Sequence, residues 1–194
     1  MIAIILAGGK SSRLREGKEK ALLKIGRNGS ENQKRLIDLV VESVRESKAE
    51  DSLVAITKNT PKTEEYCKLV NYKTIETPGE GYHEDLRYLL PRYPEFVSAA
   101  CDIPFLRSKH INAIIDAYFS RKPRISITGA VPLDMLPKNI TPGYVFEYEG
   151  KEFVSCGINV VTRSKDSIPF VFNEPLLAIN VNTSDVLRML RRMV

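Results

Sequence analysis

Residues 2–10 read IAIILAGGK: an unbroken apolar run, Ile2–Leu6, that stops abruptly at Ala7-Gly8-Gly9-Lys10. A short apolar run bounded by glycine is the pattern of a strand buried on both faces, as parallel strands are. Glycines directly after such a strand let the backbone approach a ligand closely and aim N–H groups at an anion. This stretch therefore predicts a parallel sheet with an anion-holding turn at the carboxyl end of its first strand.

The rest of the chain alternates in the same manner. Further strands are expected at Leu53–Thr57, Lys73–Glu76, Phe96–Ala100, Ile125–Val131, Gly157–Val161 and Leu176–Ile179. A hairpin is expected from Tyr144–Tyr148 and Glu152–Val154 around Glu149-Gly150, and Pro132–Gly143 reads as an exposed loop. Helices are expected between them. Ser30 with Gln33 makes a capping box for a helix over Glu31–Ser47, and Thr60-Pro61 opens another. Glu84–Leu90 is a short helix closed by Pro91, and Ser108 caps one through Phe119. Asn182 or Thr183 caps the last, with Val186, Leu187, Leu190 and Met193 inward. Strand–helix alternation predicts an α/β fold, a Rossmann-like three-layer sandwich around a mostly parallel, mixed sheet. Ligands bind beyond the carboxyl ends of strands in such sheets, so Gly8–Lys20, Gly79–Tyr82 and Asp102–Leu106 should meet on one edge.

Composition narrows the function. With 194 residues, 43% hydrophobic and 27% charged, the chain is expected to form one globular domain over 1–194. It has no apolar run approaching the roughly 20 residues of a membrane span, and its N-terminus does not read as a signal peptide, so a cytoplasmic protein is expected. Cys67, Cys101 and Cys156 lie far apart without metal spacing and read as small buried residues. A net charge of +5 suits an anionic ligand such as a triphosphate. No compact basic and aromatic signature points to nucleic acid as a partner.

Four segments could carry chemistry. The first is Leu6–Ile25, where Lys10, Arg13 and Lys20 add positive charge to the glycine turn. Neither GxGxxG nor GxxxxGK[ST] occurs, which argues against dinucleotide and P-loop sites. The second is AACDIPFL, Ala99–Leu106, in which Asp102 stands at the end of a buried strand, where a hard carboxylate oxygen can share Mg²⁺ with substrate phosphates. Gly79-Glu80-Gly81-Tyr82 could pass close to a flat base, or be an ordinary turn. In NVNTSDVL, Asn180 and Asn182 could offer oxygens to a metal or ribose, while Asn182 serves equally well as a helix cap. The lone histidines, His83 and His110, read as structural.

The order of these motifs resembles that of the glycosyltransferase-A-like nucleotidyltransferases, the group that includes molybdenum-cofactor guanylyltransferase. Within it the chain is most similar to the archaeal GTP:adenosylcobinamide-phosphate guanylyltransferases of the cobalamin pathway. The narrower similarity lies in NTPKTEEY (Asn59–Tyr66), GEGYHEDL (Gly79–Leu86), LRSKHINAIIDAY (Leu106–Tyr118), CGINVV (Cys156–Val161) and INVNTSDVL (Ile179–Leu187). The resemblance implies a nucleotidyltransferase that uses Mg²⁺, GTP and adenosylcobinamide phosphate. It implies that Gly8, Gly9, Lys10 and Arg13 wrap the phosphates, with Lys20 neutralising charge near the α- and β-phosphates. Leu6, Ala7 and Thr57 complete the nucleotide-binding set, and Gly79 and Gly81 lie near guanine or ribose. Asp102 would hold the metal, with Asn180 or Asn182 as partner, and Lys20, Arg13 and Asp102 would be catalytic. One departure is that Ala21 follows Lys20 where the group often has proline. Transfer to molybdopterin or to a sugar or alditol phosphate, a non-catalytic GTP-binding module, and a homodimer all stay compatible with the sequence.

Overall fold

The computed structural model describes residues 1–10, 18–26, 33–138 and 140–193, with side chains through Arg191. Its strands are β1 (Ala3–Leu6), β2 (Lys24–Ile25), β3 (Lys34–Arg35), β4 (Ser52–Ile56), β5 (Thr74–Glu76), β6 (Glu95–Ala100), β7 (Ser126–Pro132), β8 (Val145–Tyr148), β9 (Lys151–Thr162) and β10 (Ser167–Val171). Its helices are α1 (Leu36–Arg45), α2 (Pro61–Leu69), α3 (Tyr82–Leu89), α4 (Ser108–Phe119) and α5 (Ser184–Met193).

The main sheet runs β10-β7-β9-β6-β1-β4-β5, with β8 added to β9. β1 pairs in parallel with both β4 and β6, which explains the apolar run that opens the chain: Ala3, Ile4 and Ile5 are fully buried. β9 is antiparallel to β6, β7 and β8, so the sheet is mixed as expected. One face packs the main core with α1, α2, α4 and α5. The other face, built on Ile4, Ala55, Phe96 and Val161, is covered by α3 through Leu86 and Leu89. No helix of the described residues is long and apolar enough to cross a membrane.

Several expected boundaries move, each for a local reason. The first helix begins at Leu36, not Glu31, because Lys34 and Arg35 pair with Ile25 and Lys24 as a small ribbon. The Leu36 N–H then finds the Leu23 carbonyl at 3.0 Å. Ser30, half of the expected capping box, lies outside the described residues. The short helix expected over Glu84–Leu90 starts at Tyr82. Ser108, the expected cap, is the first helical residue instead, and His110 Nδ1 accepts the Arg107 N–H at 3.0 Å. Glu152–Val154 and Gly157–Val161 form one strand rather than two. Gly157, at φ +74°, and a register slip opposite Thr128–Ala130 carry the chain through the irregularity. Leu176–Ile179 is not a strand: Pro175–Ala178 makes a 3₁₀ turn, and the last strand is β10, which contains Pro169. Proline discourages a strand reading, but β10 is at the edge of the sheet, where a missing donor is tolerated. Pro132–Gly143 is less open than expected, since Leu136 and Ile140 are buried. Thr183 caps α5 through its hydroxyl to the Val186 N–H at 3.4 Å, so the side chain of Asn182 has other work.

The entry to α2 matters most for the site. Pro61 takes the first helical turn as expected, but the Thr60 hydroxyl turns back to Thr57, accepting its N–H at 3.1 Å. The open donors of the helix, the N–H groups of Lys62 and Thr63, are taken instead by the Glu19 carboxylate at 2.9 and 2.6 Å. A carboxylate at a helix N-terminus satisfies orphan donors and complements the helix dipole. It also anchors the residue next to Lys20. Glu19→Ala is expected to lower stability by about 1–2 kcal/mol, the scale of a lost N-cap. Urea unfolding measures this, and an unchanged midpoint and slope would mean that the bonds contribute nothing net.

Candidate active site

The three loops predicted to share an edge do so. A cleft of about 410 Å³ opens beyond the carboxyl ends of β1, β4 and β6, a volume in the range of small-ligand sites. Leu6, Ala7, Gly8, Gly9 and Lys10 form one wall, and Gly79, Glu80, Gly81, Tyr82 and Asp85 another. Ala100, Cys101 and Asp102 make the floor, with Lys20 and Asn182 beside them.

Its centre is a charged junction. Lys20 Nζ lies 2.8 Å from Asp102 Oδ2 and 2.8 Å from Asn182 Oδ1. The Asp102 side chain is 9% exposed and that of Lys20 is 20% exposed, so the pair is largely shielded from water. Backbone bonds hold the components in place. The Cys101 N–H reaches the Leu6 carbonyl at 3.2 Å, and the Val181 N–H reaches the Asp102 carbonyl at 3.0 Å. The chain's first loop, its central acid and its Asn-x-Asn segment are thus tied to one point.

The glycines have a common neighbour. Thr57 is buried and donates its hydroxyl to the Gly8 carbonyl at 2.9 Å. A Cβ on Gly8 would come within 2.2 Å of Thr57 Cγ2, and one on Gly79 within 2.8 Å of Thr57 Cβ. Gly79 also has φ +73°, and its N–H is held by Asp85 Oδ1 at 2.8 Å. Thr57 therefore sits behind the cleft wall as a wedge between the two glycine loops, and does not itself line the cleft. Two loops pressed onto one small side chain cannot close on each other without moving it.

Other expected residues divide as follows. Arg13 lies outside the described residues. Asn182 meets Lys20, whereas Asn180 is set deeper: its amide nitrogen faces the space that a Gly157 Cβ would occupy, and its Oδ1 is buried without a partner among the described residues. Glu19, Glu80 and Asp85 were not singled out from sequence, because nothing local distinguishes a site carboxylate from a solvated one. Cys101 adjoins Asp102, but burial, reinforced by the Asp102 charge, pushes its thiol up to about 12. It stays protonated at neutral pH and is a poor nucleophile.

The oxygen set suits a hard cation. Asp102 Oδ1 carries no hydrogen bond from the described residues and is a hard donor of the kind Mg²⁺ prefers, whereas the orphan Asn180 Oδ1 belongs to a residue that does not line the cleft. No group of three His, Cys, Asp or Glu side chains comes together among the described residues. The arrangement fits a metal that takes most of its remaining ligands from phosphate and water.

The family assignment follows from comparison. Residues 3–133 match the model of the MobA-like NTP transferase domain. The chain belongs to the MobA-like NTP transferases. A relative in this group, the adenosylcobinamide-phosphate guanylyltransferase of Methanocaldococcus jannaschii, is 36% identical over 97% of this chain and 95% of the relative. The fold is shared more widely. CMP:2-keto-3-deoxy-manno-octonic acid synthetase complexed with CTP superposes with a TM-score of 0.71 at 14% identity, covering 99% of this chain and 97% of that one. A hypothetical transferase from Thermus thermophilus does so with a TM-score of 0.67 at 17% identity, covering 96% and 100%. At these identities the likeness concerns architecture alone.

The wedge makes a test of loop geometry possible. Gly8→Ala is expected to weaken nucleotide binding by at least about tenfold, equivalent to 1.4 kcal/mol. Thr57→Ser removes the clashing Cγ2 but keeps the hydroxyl. Adding it to Gly8→Ala should restore much of the loss, a coupling that additive variants lack. Isothermal titration of the four proteins with nucleotide reads the cycle, and strict additivity would remove Thr57 from its assigned place.

Proposed function

We propose that this chain is an adenosylcobinamide-phosphate guanylyltransferase, moving GMP from GTP onto the acceptor phosphate to give adenosylcobinamide-GDP and pyrophosphate. The observation that carries the reading is the junction of Lys20, Asp102 and Asn182 under the glycine turn, in a chain whose relative of that activity matches it almost end to end. The whole of 1–194 would act as one nucleotidyltransferase domain.

In this reading the triphosphate lies along Gly8, Gly9 and Lys10, with the base toward Gly79–Tyr82. Glu80 and Asp85 suit guanine in particular, because its N1–H and N2–H₂ form a pair of adjacent donors that a carboxylate accepts. Asp102, with Asn180 or Asn182, would hold Mg²⁺. When bound, the metal would draw charge from the phosphate oxygens and support the leaving pyrophosphate. The acceptor is a phosphate monoester, already ionised near neutral pH, so no general base is needed. Its oxygen forms a bond to the α-phosphorus as the bond from that phosphorus to the bridging β-phosphate oxygen breaks. Lys20 is the mobile partner: its ammonium neutralises Asp102 at the junction, and with nucleotide bound it would turn to the phosphates and leave the carboxylate to hold the metal. The chain's contribution is positioning and electrostatics, which are the main needs of phosphoryl chemistry.

Pyrophosphate release should be fastest with GTP among the four NTPs, should require adenosylcobinamide phosphate, and should stop on chelation of divalent metal. Asp102→Ala is expected to abolish turnover with the fold intact by circular dichroism. Lys20→Ala is expected to cost roughly 2–4 kcal/mol in kcat/KM, as for loss of one charge-stabilising donor. A Lys20→Ala enzyme with normal kinetics, or equal use of all four NTPs, would overturn the corresponding assignment.

A further inference from the structure

The nucleotide cleft leaves one half of the reaction unhoused. About 410 Å³ is the scale of a nucleotide, so the large ring system of a corrinoid acceptor must lie outside the cleft while its phosphate reaches in. The strand registers show where the protein extends past that opening.

β6 ends at Ala100, with its pairing to β9 reaching Ala99 opposite Ile158. β9 runs the other way and starts earlier, so Lys151–Cys156 project beyond the carboxyl edge of the sheet. β7 occupies one side of β9 along this extension, from Ala130 opposite Ser155 to Pro132 opposite Phe153. β8 must therefore pair on the other side, the side β6 has vacated, and it does so from Val145 opposite Val154 to Tyr148 opposite Lys151. The Ser155 N–H to Tyr144 carbonyl bond, at 2.9 Å, continues the ladder back toward the cleft. The β8–β9 hairpin thus stands in line with β6, past Asp102. At about 3.3 Å per residue, Tyr144 is some 7–10 Å beyond the end of β6.

Alternation decides which way its side chains face. Val154, Cys156, Ile158 and Val160 all belong to the main core, so Phe153, Ser155, Gly157 and Asn159 face the other way. That is the face of Leu6, Ala55 and Tyr82, the face of the cleft. Asn159 confirms the continuity, donating to the Tyr82 hydroxyl at 3.0 Å. Phe146 pairs with Phe153 on the same face, and Tyr144 lies two residues before Phe146. The three rings stack: Tyr144 and Phe146 at 6.1 Å and 19°, Phe146 and Phe153 at 5.9 Å and 30°. Phe153 is buried, yet Tyr144, the ring nearest the cleft, is 68% exposed. Gly143 precedes it, and a Cβ there would lie 3.7 Å from the Asn182 amide nitrogen. The stack therefore begins one residue from the charged junction and leads away from it.

We propose that Tyr144, with half-buried Phe146 and buried Phe153 stacked behind it, is the acceptor platform, on which the broad, largely apolar ring system of a corrinoid phosphate rests while its phosphate reaches the Lys20–Asp102 junction. This rests on the guanylyltransferase reading. Parallel rings offer an apolar edge and face at little ordering cost, because each is already fixed by its neighbour. Nucleotide binding makes no use of the platform, so its loss should fall on the acceptor alone.

The test uses the whole protein and Tyr144, which is exposed enough to replace without unfolding. Tyr144→Ala is expected to weaken binding of adenosylcobinamide phosphate by about tenfold in equilibrium dialysis and to raise its KM similarly. GTP affinity and kcat at saturating acceptor should be unchanged, and Tyr144→Phe should bind within about twofold of the parent. Equal acceptor affinity in Tyr144→Ala and the parent overturns the platform and leaves guanylyl transfer standing. A parent protein that binds GTP but neither binds nor guanylylates this acceptor overturns both readings. If Tyr144→Ala changes the sedimentation state with acceptor affinity intact, the stack serves a second copy of the chain, and the platform is again overturned. A parallel fall in GTP affinity would make Tyr144 part of the nucleotide site and would equally sink the assignment.

Discussion

The contact between Lys20 and Asp102 is the constraint around which the site is organised. It joins residues 82 positions apart, and through Asn182 it reaches 162 positions along the chain. As a contribution to stability such a pair is poor value. Taking two charges out of water costs several kcal/mol, and their attraction in the interior roughly offsets that cost. Asp102, 9% exposed at its side chain, would be cheaper to bury as an apolar residue. In the proposed reaction the pair makes sense as a poised site: each partner holds the other's charge until a polyanion and a cation take over both roles. One vacancy without the other would leave a buried charge uncompensated.

Poise of this kind requires that neither group drift, and the structure supplies restraint from elements far from the chemistry. Asp102 follows a strand buried between β1 and β9, so its backbone is held on both sides. Lys20 has no strand beneath it. Its neighbour Glu19 is pinned to the start of α2, and Leu22 and Leu23 close a short turn on Glu19 and Lys20. Thr57, at the foot of the same helix, sets the spacing of the Gly8 and Gly79 loops. The first turn of α2, with Thr57 and Thr60 leading into it, therefore restrains Lys20 and the Gly8 and Gly79 loops together.

Much of this was legible in the sequence because it obeys local rules. Ile2–Leu6 announces a buried parallel strand by composition alone, and the glycines after it announce the turn. Asp102, at the end of a second such run, could be placed on the same edge by the geometry common to open α/β sheets. What escaped detection depended on distance. Glu19 looks like any surface acid until α2 is found beside it. Thr60 has the form of a cap, yet its hydroxyl prefers Thr57. Lys34 and Arg35 fit a helix until a two-residue partner strand claims them. β10 was hidden by Pro169, whose cost vanishes only because the strand lies at an edge. In each case a tertiary partner outbid a local preference of about 1 kcal/mol, which is all that such preferences amount to.

The direction of β9 completes the argument. Had this strand run parallel to β6, it would have ended at the same edge, and a loop would have stood where the hairpin stands. Running antiparallel, it carries regular structure past the edge and gives β8 a partner there. A strand exposed beyond a sheet invites pairing with other molecules, and this one is only four residues long, with Glu147 on it and Glu149 at its turn. The reversal that makes the sheet mixed is thus what lets a rigid, aromatic surface stand over a site whose own walls are glycine loops. In the proposed reaction, loops that yield to a triphosphate could not also offer a large acceptor a fixed plane. Dividing the two tasks between a pliable side and a laddered side resolves the conflict within one sheet.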